Sequence, residues 1–219
     1  MMKFLMLLAV FTCTTSANQQ TDLAVLESMV RVLATAEGKR LFVGTAVVVA
    51  KHRAVTNCHV VRKAHSILVF RGVVRYRVNA LVADPENDLC LLHIPLLDLP
   101  FVPLRASKTV QLNEPISIVA YPNNIGISLR RGQVIGIHEY ARTHAIEVDS
   151  GFAQGTSGGG VFDQHGQLLG LATFFTRSRN PRFFAIAADR IERLLEQKVA
   201  AIKPFSRVSY WELGKFSYE

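Results

Sequence analysis

Short apolar runs separated by turn residues fill most of this chain, and they occur in two sets. Each run is rich in Val, Ile, Leu and Phe, with Gly, Asn, Asp, Lys or Pro between runs. Many short strands at regular spacing are typical of β-barrels and sandwiches. A crossing that contains Pro95, Pro100 and Pro103 separates the sets, which predicts an all-β fold of two six-stranded antiparallel barrels. The runs are 29–35, 41–50, 54–56, 66–70, 73–82 and 89–94, then 115–120, 127–137, 145–149, 159–162, 168–175 and 183–187.

Two helices are expected beside the barrels. A short helix with an acidic start is predicted at 22–28, and an amphipathic helix at 189–198, where apolar side chains recur on one face. The aromatic segment that follows is expected to pack back onto a barrel, with a self-capping or partner-binding tail as the alternative. The predicted organisation is a signal peptide at 1–17, an N-terminal barrel at 18–105, a C-terminal barrel with its helix at 106–200, and a tail at 201–219.

The first residues are typical of a secretory signal. Lys3 supplies the positive start, 4–11 is an apolar run too short to span a bilayer, and a small-residue cleavage site ends at Ala17. We therefore expect a protein that is exported to the periplasm or secreted, with no membrane-spanning segment. An uncleaved anchor and lipidation of Cys13 are the alternatives, and the residues just before Cys13 lack the small side chain that lipidation favours.

Composition and charge narrow the possible partners. The 219 residues are 49% hydrophobic, which allows a sizeable core and excludes a disordered chain. The net charge of +8 comes from scattered bases without a basic helix or an aromatic RNA-binding motif, so no nucleic acid is expected. We interpret these bases as a solvated face, with weak attraction to an anionic envelope as the alternative. The sequence leaves the oligomeric state open.

The cysteines favour a crosslink over a metal site. Cys58 and Cys90 remain after removal of the signal, and an even number in an exported protein suits one disulfide. No C-x-x-C motif or paired histidine spacing supports metal binding. We therefore expect neither a metal nor a cofactor.

A serine among glycines is the strongest functional signal. The run Gly155-Thr156-Ser157-Gly158-Gly159-Gly160 suits a nucleophile on a tight turn, because glycine accepts unusual dihedrals and allows close approach of a substrate. The N–H groups of Gly155 and Ser157 would then point at one spot, as an oxyanion hole requires. Taken alone, such a run is more often an ordinary turn.

A histidine and a carboxylate stand upstream in suitable settings. His59 follows a buried-type strand, and Asp88 lies at the mouth of an apolar strand. Both fall in the first set of strands, whereas Ser157 falls in the second. A cleft between two barrels would bring the three side chains together.

These motifs resemble those of trypsin-like serine proteases of the chymotrypsin fold, nearest the bacterial Deg/HtrA branch. The matching segments are 44–49 (Gly-Thr-Ala-Val-Val-Val), 56–61 (Thr-Asn-Cys-His-Val-Val), 84–89 (Asp-x-x-x-Asp-Leu), 155–159 (Gly-Thr-Ser-Gly-Gly) and 184–186 (Phe-Ala-Ile). Together they cover nearly all of the chain between the signal peptide and about residue 198.

The resemblance implies a role for each candidate residue. Ser157 would be the nucleophile that forms an acyl-enzyme, His59 its general base, and Asp88 the partner of the imidazole. Gly155 and Ser157 would supply the oxyanion hole. Asp84 is the rival carboxylate, but the family places its aspartate directly before the apolar strand, which favours Asp88.

Two departures from the family pattern are informative. Thr156 stands where digestive relatives have an aspartate that pairs with a newly cleaved N-terminus, so no zymogen cleavage of that type is expected. Gly151 stands where trypsins have the aspartate that selects Arg and Lys, so a basic P1 preference is not supported. Three aromatic side chains could line a pocket for small or apolar P1 residues, or belong to the core, which we favour: Phe152, Phe174 and Phe175.

The same resemblance leads to a hypothesis on the crosslink and on function. If His59 and Asp88 touch, Cys58 and Cys90 come close, which predicts a disulfide between them, with two buried thiols as the alternative. Full Deg proteases carry PDZ domains after the catalytic domain, and none is expected here. The predicted function is an exported serine endopeptidase that acts on polypeptides. The alternatives are a catalytically inert binding or chaperone module and a triad-dependent esterase.

Overall fold

The computed structural model describes residues 13–36, 39–176 and 178–205, and within them it forms two β-rich halves with few helices. The first half follows an N-terminal helix and contains one short helix between its strands. Its elements are α1 (Cys13–Glu27), β1 (Met29–Ala36), β2 (Lys39–Ala50), β3 (Arg53–Asn57), α2 (Cys58–Val61), β4 (Ser66–Arg71), β5 (Val74–Arg77), β6 (Ala80–Asp84) and β7 (Leu89–His93).

The second half contributes six strands, a short helix and a final two-residue strand that returns to the first half. Its elements are β8 (Pro115–Ala120), β9 (Ser128–Tyr140), β10 (Thr143–Val148), β11 (Gly159–Phe162), β12 (Leu168–Phe175), β13 (Phe183–Ala187), α3 (Ile191–Leu195) and β14 (Ala200–Ala201). The six strands close into a barrel in the order β10-β13-β12-β11-β8-β9. This is the second barrel that the sequence predicted.

The first half differs from the predicted closed barrel. Its strands form an eight-stranded sheet in the order β14-β6-β7-β3-β2-β1-β4-β5. The run predicted as one strand over 73–82 is divided into β5 and β6, because the chain turns at Val78 and Asn79. The N–H of Val78 donates to the carbonyl of Ile67 in β4, and the N–H of Asn79 donates to the carbonyl of His93 in β7. The free edge of β6 is then occupied by β14, so β5 and β6 do not pair to close the sheet. The all-β, two-part architecture is confirmed.

Alternating side chains give each half its own core and a third core between them. Val32, Ile67 and Leu92 lie in the core of the first half, and Ile118, Val148 and Leu169 in the barrel of the second. The shared core includes Met29, Val47, Leu91, Phe162 and Phe184, which come from strands of both halves. Burial of large apolar side chains on both sides of this junction stabilises one arrangement of the two halves.

Both ends of the described chain cross to the opposite half. Helix α1 lies against the second half, where Asp22 pairs with Arg131 at 2.5 Å and Val25 enters the shared core. Beyond β14, Ile202 and Phe205 pack on the core of the first half. The N–H of Phe205 also donates to the carbonyl of Arg62, the residue that ends α2, at 2.8 Å.

The helix boundaries differ from the sequence-based expectations. Helix α1 is longer than the predicted 22–28 and begins at Cys13, inside the predicted signal peptide. Helix α3 is shorter than the predicted 189–198, because only Ile191 and Leu194 find buried positions and residues 196–201 are exposed. Residues 1–12 of the predicted signal and 206–219 of the predicted tail lie outside the described residues. No helix in the described ranges is both long enough and apolar enough to cross a membrane.

An ion cluster around the buried Glu147 links three neighbouring segments of the second half. Glu147 on β10 accepts hydrogen bonds from Arg182 Nε at 2.6 Å and Nη2 at 2.5 Å, and its Oε2 lies 2.9 Å from His138 Nε2 on β9. A Cβ added at Gly136 would lie only 2.7 Å from that histidine nitrogen, so glycine leaves room for the cluster. The hydrogen bond from Arg182, opposed by burial and aided by His138, lowers the pKa of Glu147 from its ordinary value of 4.5.

Candidate active site

His59 and Asp88 meet through two contacts. His59 lies in the single turn of α2, directly after β3, and Asp88 directly precedes β7. Asp88 Oδ2 lies 2.7 Å from His59 Nδ1, and Oδ1 accepts the backbone N–H of His59 at 2.8 Å. The Asp88 side chain is 1% exposed and that of His59 is 15% exposed. A carboxylate at Nδ1 selects the tautomer with its proton on that nitrogen and places the basic lone pair on Nε2.

The backbone around Asp88 is also fixed. Asp88 has a left-handed conformation with φ of 53°, which aspartate tolerates better than most residues. Its carbonyl accepts hydrogen bonds from the N–H of Cys58 and from Asn57 Nδ2, both at 3.1 Å. The carboxylate is therefore aimed at the imidazole from a position held by the histidine segment itself.

A disulfide joins the same two segments, as the sequence led us to expect. Cys58, the neighbour of His59, is bonded to Cys90 on β7, and neither cysteine is exposed. The rival carboxylate, Asp84, points elsewhere: it accepts hydrogen bonds from Asn87 Nδ2 at 2.9 Å and from Arg190 Nε at 2.5 Å. Asp84 thus ties β6 to the segment before α3.

The serine loop lies against strand β2 of the first half. The carbonyl of Ser157 accepts the N–H of Thr45 at 2.9 Å, and Thr45 Oγ1 donates to the carbonyl of Gly155 at 2.9 Å. Thr45 Oγ1 also accepts the N–H of Tyr121 at 2.9 Å. This one buried hydroxyl thereby connects β2, the end of β8 and the serine loop.

Glycine is required at position 158 on two grounds. Gly158 has φ of +81°, a conformation that costs other L-residues energy. A Cβ there would lie 2.1 Å from the carbonyl oxygen of Thr45, 2.4 Å from Thr56 Oγ1 and 3.2 Å from the N atom of Asn57. The backbone next to Ser157 therefore packs directly on the strand end that leads into α2 and His59.

The N–H groups of Gly155 and Ser157, the predicted oxyanion donors, are not engaged by other described residues. The carbonyl of Gln154 accepts the N–H of Asn123 at 2.6 Å. Because the C=O and N–H of a trans peptide point in opposite directions, the N–H of Gly155 is directed away from Asn123. In the part of the chain that the structure describes, neither this N–H nor that of Ser157 is engaged in a hydrogen bond.

Thr156 stabilises the serine loop through hydrogen bonds with Ala153. Its N–H donates to the carbonyl of Ala153 at 3.1 Å, and its Oγ1 accepts the N–H of Ala153 at 3.2 Å. These reciprocal contacts stabilise the turn that carries Gly155 and Ser157.

The three aromatic candidates divide between core and surface. Phe174 is buried in the shared core and stacks on Phe184 at 4.9 Å between ring centroids, as favoured from sequence. Phe152 is half-buried and packs against the barrel core, also as favoured, whereas Phe175 is 43% exposed. Both contact Phe183, at 5.4 and 5.9 Å between ring centroids. A Cβ at Gly151 would lie 3.4 Å from the Phe183 ring, so Phe183 belongs to the same aromatic group.

Sequence reasoning did not single out Thr45, Thr56 or Phe183. A signal existed for the threonines, since each is a polar residue directly beside a buried apolar run, 46–49 or 54–55, and each is buried. Buried hydroxyls need hydrogen-bond partners, and both lie at the contact with the serine loop. Among the described residues, no group of three His, Cys, Asp or Glu side chains is arranged to hold a metal ion.

Comparison with known proteins identifies the family. Residues 44–171 match the model of the trypsin-like peptidase domain. The serine endoprotease DegS of Salmonella typhimurium is 28% identical over 126 residues, which cover 54% of this chain and 35% of DegS. The probable periplasmic serine endoprotease DegP-like of Buchnera aphidicola is 26% identical over 181 residues, which cover 77% of this chain and 37% of that protein.

A solved structure supports the same fold. The active form of the Rv3671c protease from M. tuberculosis matches with a TM-score of 0.76 and 21% identity, covering 92% of this chain and 97% of that one. The chain therefore belongs to the trypsin-like peptidase family, and it resembles the HtrA-type proteases among them. It spans little more than a third of the length of the two curated relatives.

Proposed function

We propose that this protein is an exported serine endopeptidase that hydrolyses polypeptides through Ser157, His59 and Asp88. The observation that carries the proposal is the double contact between the buried Asp88 carboxylate and His59, beside a glycine-flanked serine packed on the adjoining strand end. Export is supported by the signal-like N-terminus and by the periplasmic designation of the DegP-like relative.

The proposed reaction begins with proton transfer from the serine. The hydroxyl of Ser157 is a weak nucleophile at its own pKa, and His59 Nε2 accepts its proton as Oγ attacks the scissile carbonyl. Asp88 holds Nδ1–H and stabilises the imidazolium that forms. The same imidazolium then donates its proton to the leaving amine, which yields an acyl-enzyme.

Deacylation repeats these steps with water. His59 removes a proton from the water molecule that attacks the ester carbonyl, and returns a proton to Ser157 Oγ when the acid product leaves. In both tetrahedral intermediates, the N–H groups of Gly155 and Ser157 donate to the oxyanion. One such donor is typically worth about 3–4 kcal/mol of transition-state stabilisation.

A serine-directed fluorophosphonate probe tests the proposal. We expect labelling of the folded wild-type protein that disappears in Ser157→Ala and His59→Ala. Ser178→Ala, which changes an exposed serine in the loop after β12, should label like the wild type. Thermal unfolding confirms that each variant is folded.

The other outcomes separate the alternatives. Absence of labelling in the folded wild type would leave an inert binding module as the correct reading. Labelling together with cleavage of simple esters, but of no member of a peptide library, would identify an esterase. Cleavage of internal peptide bonds supports the endopeptidase.

A further inference from the structure

A continuous row of side chains leads from the serine loop across the first sheet. Thr45 on β2 lies opposite Arg31 on β1, Arg31 opposite Phe70 on β4, and Phe70 opposite Arg75 on β5. Directly opposed residues of antiparallel strands project from the same face of a sheet. Because Thr45 Oγ1 donates to Gly155, this face is the one that meets the serine loop.

A second row runs beside the first on the same face. Leu33 on β1 lies opposite Leu68 on β4, which lies opposite Arg77 on β5. The aliphatic and aromatic members are half-buried, whereas Arg75 and Arg77 are exposed. We call the surface formed by the two rows the arginine-edged face: Arg31, Leu33, Leu68, Phe70, Arg75 and Arg77.

The opposite face of these strands is buried in the core of the first half. Val32 and Val69 oppose each other there and are completely buried in the core of the first half. The arginine-edged face is therefore the solvent side of the sheet. A row of apolar side chains that ends in cations is suited to an elongated ligand with an apolar part and an anionic part.

The charges of Arg75 and Arg77 are not balanced by the strands of this face. Strands β1, β4 and β5 contain no Asp or Glu. The guanidinium of Arg31 lies over the Phe70 ring at 4.8 Å, and Arg75 and Arg77 form no ion pair with any residue in the described ranges. By contrast, Arg105, Arg182 and Arg190 each pair with a carboxylate elsewhere in the molecule.

The spacing relates this face to the site of cleavage. Neighbouring strands lie about 4.8 Å apart, so the three steps from Thr45 to Arg75 span about 14 Å. An extended peptide advances about 3.4 Å per residue, so this span corresponds to about four residues. A polypeptide with its scissile bond at Ser157 can therefore reach the arginines with residues near that distance.

We propose that the arginine-edged face is a substrate-selection site for acidic side chains located about four residues from the scissile bond. The site rests on the proposed endopeptidase function and specifies its substrates: polypeptides with apolar residues near the cut and a carboxylate cluster further along. Exposed ion pairs of this kind are modest individually and are weakened by salt.

Matched peptides test the selection. A cleavable core carries a Glu-Glu or a Gln-Gln pair, moved one position at a time up to six residues on either side of the cut. At low ionic strength we expect kcat/KM to be about five- to tenfold higher for the Glu-Glu peptide when the pair lies near the fourth residue on one side. The preference should disappear in about 1 M NaCl, where the screening length is about 3 Å.

Two double variants that remove the same charge provide the control. Arg75→Ala with Arg77→Ala should abolish the preference. Arg193→Ala with Lys198→Ala, which removes two exposed cations from the region of α3, should retain it. An equal loss of the Glu-Glu preference in both double variants would show that it depends only on net charge, and would overturn the proposal. An unchanged preference in the Arg75→Ala, Arg77→Ala variant would overturn it as well.

Binding to the Ser157→Ala variant separates this proposal from the function on which it rests. Fluorescence anisotropy should show tighter binding of the Glu-Glu peptide than of the Gln-Gln peptide, lost only with Arg75 and Arg77. If the wild type cleaves no peptide but this difference persists, the endopeptidase proposal fails and the acidic-peptide site stands. Equal binding of both peptides, or an arginine-dependent preference for phosphatidylserine vesicles or single-stranded DNA over the acidic peptide, would overturn the site.

Discussion

The two halves of the molecule hold their proposed catalytic residues by different means. In the first half, His59 and Asp88 lie on segments joined by a disulfide, a buried carboxylate and backbone hydrogen bonds. In the second half, Ser157 lies on a glycine turn that also contacts strand β2 across the junction, through two hydrogen bonds with Thr45 and the close approach of Gly158. The cluster around Glu147 crosslinks three segments of the second half noncovalently.

The His59–Asp88 pair and the position of Ser157 therefore depend on different parts of the structure. The acid–base pair is largely a local property of the first half, because the hydrogen bonds that Asp88 accepts from His59 and Asn57 arise within 57–88. The position of the serine is a property of the junction, because Thr45, Thr56 and Asn57 define where its loop can lie. We therefore expect damage to the junction to reduce activity without disturbing the His59–Asp88 pair.

The largest effect is expected from Asp88→Asn. An amide cannot stabilise the imidazolium and favours the wrong tautomer of His59, which in a triad lowers kcat by about 10⁴-fold. Peptide hydrolysis measures the change. Asp84→Asn is the control, and it should lower the melting temperature through its lost partner Arg190 while leaving kcat near the wild-type value. Similar kcat losses in both variants would show that Asp88 has no special role.

Gly158→Ala should break the junction. The added methyl group meets the Thr45 carbonyl and Thr56 hydroxyl, and the left-handed backbone adds further strain, for a combined cost of about 3–5 kcal/mol. We expect loss of hydrolysis and a lower melting temperature. Gly72→Ala supplies the comparison, because Gly72 has φ of +59° with no atom near its Cβ position and isolates the backbone strain. Equal effects at the two positions would argue against steric contact at the junction.

Removal of the disulfide should affect the first half more than the junction. Cys58→Ala with Cys90→Ala opens a crosslink that spans 32 residues of sequence, for which chain entropy gives about 3–4 kcal/mol of stability. Denaturant unfolding measures this loss, and reductant should destabilise the wild type but not the double variant. A loss of less than about 1 kcal/mol in the free energy of unfolding would contradict a stabilising disulfide. Two free thiols by mass spectrometry of the non-reduced protein would contradict its formation.

The smallest expected effect is a pH dependence in the second half. Glu147 has a lowered pKa, so its contribution to stability is present above its ordinary value of 4.5 and is lost as the pH falls through the lower folded-state value. Glu147→Gln should therefore flatten the acid side of the melting-temperature profile. Glu192→Gln, at an exposed position on α3, should leave the profile unchanged. An unaltered profile in Glu147→Gln would contradict a stabilising charge at this position.

Much of the fold could be predicted from local sequence pattern. Strands β8, β11, β12 and β13 have the predicted boundaries, because each is an apolar run limited by turn residues on both sides. The division of 73–82 into β5 and β6 could not be predicted in this way. It depends on hydrogen bonds of Val78 and Asn79 to strands elsewhere in the sheet, and on the return of β14 to the edge of β6.

For the candidate site, too, local residue patterns could be predicted from the sequence but contacts between distant residues could not. The glycine run, His59 and Asp88 are visible as residue types in suitable settings, and the structure brings His59 and Asp88 together. The contacts of Thr45 could not be read from the sequence, because its partners Tyr121 and Gly155 lie 76 and 110 residues away. The triad as a catalytic unit stays a prediction until labelling and hydrolysis are measured.

The crossed ends of the chain have a consequence for folding order. The sheet that carries His59 receives its edge strand β14 and the contacts of Phe205 only after the whole barrel of the second half has been synthesised. Helix α1, the first described element, contacts residues of that same late barrel. Contacts between distant parts of a sequence slow folding, so the first half is completed last although it is translated first. We therefore expect the proposed active site to be complete only after residues 200–205 have docked on the first half.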